Sequence, residues 1–156
     1  LSISSESANT RMFADVDILI NLTRKGGVVV GWNYSIVQAT DTSGSTEVAY
    51  NSSEMGPIFG YYFDKARNWP IFFAYNLLTT ATYSNGTDEE EWRGTSYRAS
   101  FGYQSAITET FYGGLFLNYY TSSFSESITD ETTLTQVTNS RAIIYPSFSM
   151  SWRFDN

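Results

Sequence analysis

Two aspartates stand two residues apart at Asp15 and Asp17, in a chain whose cations are few: Lys and Arg together number nine against sixteen Asp and Glu. Paired carboxylates serve as general acid and base in glycoside hydrolysis. The same pair set against arginine is an ordinary way to compensate buried charge, and Arg98, Arg141 and Arg153 are available for that. Histidine and cysteine are both absent. Imidazole acid–base chemistry, Ser-His-Asp and Cys-His nucleophiles, histidine metal sites, thiolate chemistry and disulfides are therefore excluded. The expectation is a non-enzymatic protein, with no catalytic, cofactor or metal site. Asp15, Asp17, Arg98, Arg141 and Arg153 are expected to form an interior polar network in which Asp17 pairs with Arg98 or Arg141.

The sharpest charge run is DEEE, Asp88, Glu89, Glu90 and Glu91, with Glu126, Asp130 and Glu131 forming a second acidic group. Lacking the spacing of an EF-hand loop, these are expected in solvated loops, where acids can share divalent cations with lipid phosphates or meet a basic partner. A net charge of -7 with no basic, aromatic-interleaved stripe argues against nucleic acid as a partner. Asn-x-Ser/Thr triplets begin at Asn21, Asn33, Asn51 and Asn85, as a Ser/Thr-rich chain produces by chance.

The elements that must position these groups are strands. In RMFADVDILINL, Met12, Ala14, Val16, Ile18, Ile20 and Leu22 share one face of an extended chain, and Asp15 and Asp17 share the other. The same two-faced alternation recurs in GVVVGWNYSIVQ, MGPIFGYYFD, WPIFFAYNLLTT, YRASFGYQ, FYGGLFLNYY and RAIIYPSFSMSWRF. In each, one face is apolar and aromatic, and the other carries Gly, Ala, Ser, Asn, Tyr and isolated charges. In the fourth segment Leu78 is expected on the polar face with Phe72, Ala74 and Asn76. Connections alternate between short (TRKGG, DKARN, SAITE) and long, polar loops (TDTSGSTEVAYNSS, YSNGTDEEEW, SESITDETTLTQ). That alternation describes an antiparallel up-and-down meander, because parallel strands need crossovers of a dozen residues or more.

A soluble sandwich would place Lys, Glu and Thr on its wet faces. Here the second face reads as a packed polar interior, and the aromatic content of 17% collects near strand ends on the apolar face. Lipid offers no hydrogen-bond partners, so a spanning sheet must close, turn its outside apolar and gather aromatics at its rims. Pro57 and Pro146, on apolar faces, each lack a ladder donor and fit only near a strand end or a bulge.

On these residues the chain resembles, as an architecture over nearly its whole length, the small outer-membrane β-barrel proteins of Gram-negative bacteria. SMSWRF, with Phe148 just before it, is similar to the C-terminal strand signature of that class: Phe148, Met150, Trp152 and Phe154 alternate and end in an aromatic, followed here by Asp155 and Asn156. The resemblance implies one domain over residues 1–156. It also implies an all-β, antiparallel transmembrane barrel of about eight strands in the bacterial outer membrane, with short turns in the periplasm and long loops outside. Its partners would be outer-membrane lipid and lipopolysaccharide, and another membrane or surface protein. Seven strands are explicit, and LSISSES, residues 1–7, is expected as a short eighth. The barrel enzymes of that membrane use an active-site histidine, which has no counterpart in this sequence. A structural or interaction role, as an accessory subunit or adhesion-like protein, follows; a narrow pore and a soluble secreted β-sandwich that binds a partner stay open beside it. The chain starts at Leu, which fits a removed leader or a fragment.

Overall fold

The computed structural model describes residues 8–22, 27–43, 46–84, 89–129 and 133–154. Seven strands, β1 (Ala8–Asn21), β2 (Val28–Ser43), β3 (Thr46–Tyr62), β4 (Pro70–Ser84), β5 (Glu89–Ala106), β6 (Phe111–Thr129) and β7 (Thr133–Trp152), form one sheet in sequence order, each antiparallel to the next. The sheet is curled, so that side chains of β1 meet those of β5, β6 and β7 across its concave side. No ladder joins β1 to β7 among the described residues. The eighth strand expected in LSISSES lies outside them.

The β1–β2 connection and the turns at residues 63–69 and 107–110 lie at one end of the sheet, the turn end. The middle turn is fixed by Asp64, whose Oδ1 accepts from the backbone N–H groups of Asn68 (2.7 Å) and Trp69 (3.0 Å), while Arg67 takes a left-handed φ of 59°. At the opposite, hairpin end the structure corrects the expectation of long loops. Pairing runs out to Ser43↔Thr46, Ser84↔Glu89 and Thr129↔Thr133, so most of those polar stretches are strand. Ser, Thr and Asn read as loop residues by composition, yet a half-exposed strand carries them wherever its outward face is wet.

Register shifts interrupt four of the six ladders. Between Asn76 and Thr79 the β4 register shifts, so Leu77 and Leu78 both point outward; the expected inward position of Leu78 is thereby corrected. Pro57 sits within the shift between Met55 and Ile58, where a ladder donor is dispensable, and Pro146 lies on the edge strand β7. Gly56 belongs to the same irregularity: a Cβ there would stand 2.0 Å from the Tyr75 carbonyl oxygen.

The outward face changes chemistry along each strand. From the turn end it is apolar: Val28, Val30, Trp32, Tyr34 and Ile36 on β2, Trp69 just before β4 and Ile71, Phe73, Tyr75 and Leu77 on it, Leu115, Leu117 and Tyr119 on β6. Toward the hairpin end it becomes Gln38 on β2, Thr80 and Thr82 on β4, and Thr121 and Ser123 on β6. The concave face follows another pattern: Val29, Ile58, Tyr62, Ala74 and Phe116 are buried toward the turn end, and polar groups hold the middle. Its best-packed apolar cluster, Val37, Ala39, Tyr50, Ala81, Tyr120, Phe124 and Tyr145, with Phe13, Trp92 and Ile143 against it, lies toward the hairpin end.

Candidate functional site

The polar groups of the concave side meet in its middle. Arg98, on β5, reaches across to β1, where Nη1 pairs with Asp15 Oδ2 and Nη2 with both oxygens of Asp17 at 3.1 Å. Neighbouring β2 completes the carboxylates: Asn33 Nδ2 donates to Asp17 and Ser35 Oγ to Asp15. Asn33 is fully buried, so the triplet that begins there carries no sugar in this fold. Two carboxylates therefore share one guanidinium.

A second carboxylate was hidden from sequence reading. Glu54 directly follows TDTSGSTEVAYNSS, a stretch that composition reads as loop, but β3 runs through it, turns it inward and buries it, with 1% of its surface exposed. Four strands supply its donors. Ser52 Oγ (3.0 Å) and Tyr120 Oη serve Oε1, and Asn76 Nδ2 (3.2 Å) and Ser96 Oγ serve Oε2. Four donors on one carboxylate replace its hydration shell without a cation. The signal that could have revealed it is parity, since Glu54 lies an even number of residues from Gly56, Ile58 and Gly60.

Aromatic layers bound this polar centre. On the hairpin side Phe13 stacks on Tyr145 (centroids 3.9 Å apart) and meets Tyr120 edge-on at 5.8 Å. On the turn side Phe72 and Phe116 lie 6.1 Å apart, over Gly60 and Gly102, where any Cβ would strike their rings. The remaining expected network members sit apart from it. Arg141 lies over the Tyr50 ring at 4.8 Å, at the rim of an open cup of about 450 Å³ lined by Tyr50, Tyr83, Trp92 and Phe124. Arg153, at the turn end, lies over Tyr112 at 3.7 Å and donates to the Arg67 carbonyl.

The acidic groups are corrected from loop to strand. Glu89, Glu90 and Glu91 open β5, and Glu126 is in β6 at a bulge. Glu90 turns inward to accept from Trp92 Nε1 (2.9 Å) and Ser127 Oγ, and Glu91 forms an exposed pair with Arg93 at 3.1 Å. Asp88, Asp130 and Glu131 lie outside the described residues. Among the described residues no three His, Cys, Asp or Glu gather as metal ligands. Phe148, Met150, Trp152 and Phe154 all stand exposed on the outward face of β7 and beyond it.

These features define a class: an all-β, up-and-down antiparallel sheet, curled around a hydrogen-bonded polar centre and apolar on its outside. Comparison with protein families, curated proteins and solved structures gives no match.

Proposed function

We propose that the chain is a non-enzymatic β-barrel of the bacterial outer membrane, plugged by its own side chains, which holds a rigid extension above the bilayer for a structural or protein-binding role. The observation that carries this reading is the outward apolar band. On β2 it runs from Val28 to Ile36, nine residues; at roughly 3.3 Å each and a tilt near 40° such a run covers about 23 Å, the height of an outer-membrane barrel's apolar belt.

Aromatics gather at both margins of the band. At the turn end Trp69 packs on Tyr103 (4.9 Å) and Phe101 (6.0 Å), and Phe111 on Trp152 (4.7 Å). At the other margin Tyr34, Tyr75, Tyr97 and Tyr119 stand exposed just before or within two positions of the change to polar residues. Amphipathic rings favour the boundary between hydrocarbon and headgroups. A water-soluble protein with so many contiguous exposed apolar side chains would aggregate.

The filled interior favours a plug over a pore. Its polar centre is closed by Phe13, Tyr145 and Tyr120 on one side and by Phe72 and Phe116 on the other. What remains for interaction is the hairpin end, with its acidic strand β5 and the aromatic cup beside Arg141.

The test is extraction and gel mobility of the protein from Gram-negative envelopes. Retention in the outer-membrane fraction, a need for detergent, and a mobility change on boiling are expected. Ready solubility without detergent and one mobility, boiled or unboiled, would overturn the proposal in favour of a secreted sheet. Planar-bilayer recordings are expected to stay silent; steady unitary conductance would replace the plug with a pore.

A further inference from the structure

Inward positions near the hairpin end carry four large rings from four strands: Tyr50 on β3, Tyr83 on β4, Trp92 on β5 and Phe124 on β6. They touch in series. Tyr83 lies flat on Trp92 (centroids 4.9 Å apart, planes 9° from parallel), Trp92 tilts against Phe124 at 5.6 Å, and Phe124 meets Tyr50 edge-on at 6.2 Å. The Arg141 guanidinium of β7 ends the series, 4.8 Å from the centre of the Tyr50 ring. Tyr50 and Phe124 are buried, and Tyr83 and Trp92 are half-buried. The rings thus make the floor and wall of the cup, whose volume of about 450 Å³ falls inside the roughly 300–1,000 Å³ of small-molecule sites.

The polar groups of the cup decide what it accepts. Trp92 Nε1 donates to Glu90 (2.9 Å), a carboxylate that also accepts from Ser127 Oγ and stands outside the cup's lining. The indole therefore offers its apolar face to the cavity. Among the described lining residues Arg141 alone carries a full charge, and none of the ion pairs among the described residues involves it. Asn139, two positions earlier on the same inward face of β7, adds an amide to the lining. A guanidinium at the edge of a ring-lined cavity attracts an anion, which its fork of N–H donors can grip at two oxygens. It repels the cations that four aromatic rings would otherwise draw in.

We propose that the cup binds a planar aromatic carboxylate, with its ring laid along Tyr83, Trp92 and Phe124 and its carboxylate paired with the Arg141 guanidinium. This gives a ligand class to the interaction surface of the hairpin end, and it rests on the reading above for the cup's place outside the bilayer, open to water. Stacking supplies affinity for the ring. The charge-assisted pair supplies the selection, about tenfold in affinity at a partly wet site.

The test titrates the purified full chain with three probes that share one ring system and differ in charge: naphthoate, naphthylmethanol and naphthylmethylammonium. Binding is read by equilibrium dialysis against protein-free micelles of the same zwitterionic detergent. Naphthoate is expected to bind saturably, one per chain and about tenfold tighter than the alcohol, with the ammonium weakest. Arg141→Gln is expected to make acid and alcohol equal, Arg141→Lys to keep a preference for the acid, and Tyr83→Leu to weaken both alike. Naphthoate that does not saturate, equal affinity for acid and alcohol in the unsubstituted chain, tighter binding of the ammonium, or a preference for the acid that survives Arg141→Gln would overturn the proposal. A heat-dependent mobility change that persists in those cases leaves the membrane reading standing, and only the ligand assignment falls. Conversely, naphthoate selectivity in a chain that needs no detergent keeps the ligand assignment and removes only its place above a bilayer.

Discussion

The two sections of each strand differ in what they set against their outward face. Behind the apolar band the concave side holds the charges Asp15, Asp17, Arg98 and Glu54 at its middle, with Ile58, Ala74 and Phe116 on the turn side of them; toward the hairpin end the outward face is Gln, Thr and Ser, and the concave side holds Val37, Ala39, Tyr50, Ala81 and Phe124. One sheet thus contains an inside-out section and a section built like a soluble core. On the proposed reading the change marks the bilayer surface, since only lipid makes an apolar exterior favourable.

The contrast can be broken from either side. The largest effect is expected in the polar section: Arg98→Met leaves Asp15 and Asp17 without their cation and costs about 3–5 kcal/mol, read as a lower urea midpoint for the loss of heat-modifiable mobility. Adding Asp15→Asn and Asp17→Asn is expected to recover much of that loss. In the soluble-type section Phe124→Ala opens a cavity worth about 3 kcal/mol on the same urea series, although no charge is touched.

A matched pair of surface substitutions sharpens the boundary. Leu117→Arg, within the apolar band, is expected to cost about 2–4 kcal/mol, and Ser123→Arg, three turns of alternation further along the same outward face of β6, about 0–1. Equal costs in refolding into lipid vesicles would remove the boundary. The smallest effect belongs to the exposed Arg93–Glu91 pair, where Arg93→Ala should change the midpoint by well under about 1 kcal/mol.

How much of this was legible in the sequence differs between the same two sections. Near the turn end, alternation alone separated Val16 and Ile18 from Asp15 and Asp17, because hydrocarbon outside and polar packing inside leave a strong period of two. Near the hairpin end the outward residues are Ser and Thr, so TDTSGSTEVAYNSS read as loop and hid Glu54 with it. The bulge that turns both Leu77 and Leu78 outward has no local signature, since one inserted residue changes parity without changing composition. Which arginine meets Asp17 was also not legible: Arg98 and Arg141 both face inward, and only the curl of the sheet brings β5 rather than β7 to the carboxylates.

The chain has no cysteine, so single labels can be placed without background. The most direct measurement is spin labelling at Leu117→Cys, Phe148→Cys, Thr82→Cys and Ser123→Cys in lipid vesicles, comparing collisions with oxygen, which enriches in hydrocarbon, and with a water-soluble nickel chelate. The first two labels are predicted to favour oxygen and the last two nickel; nickel access at all four alike would contradict the polarity boundary and, with it, the membrane-spanning account.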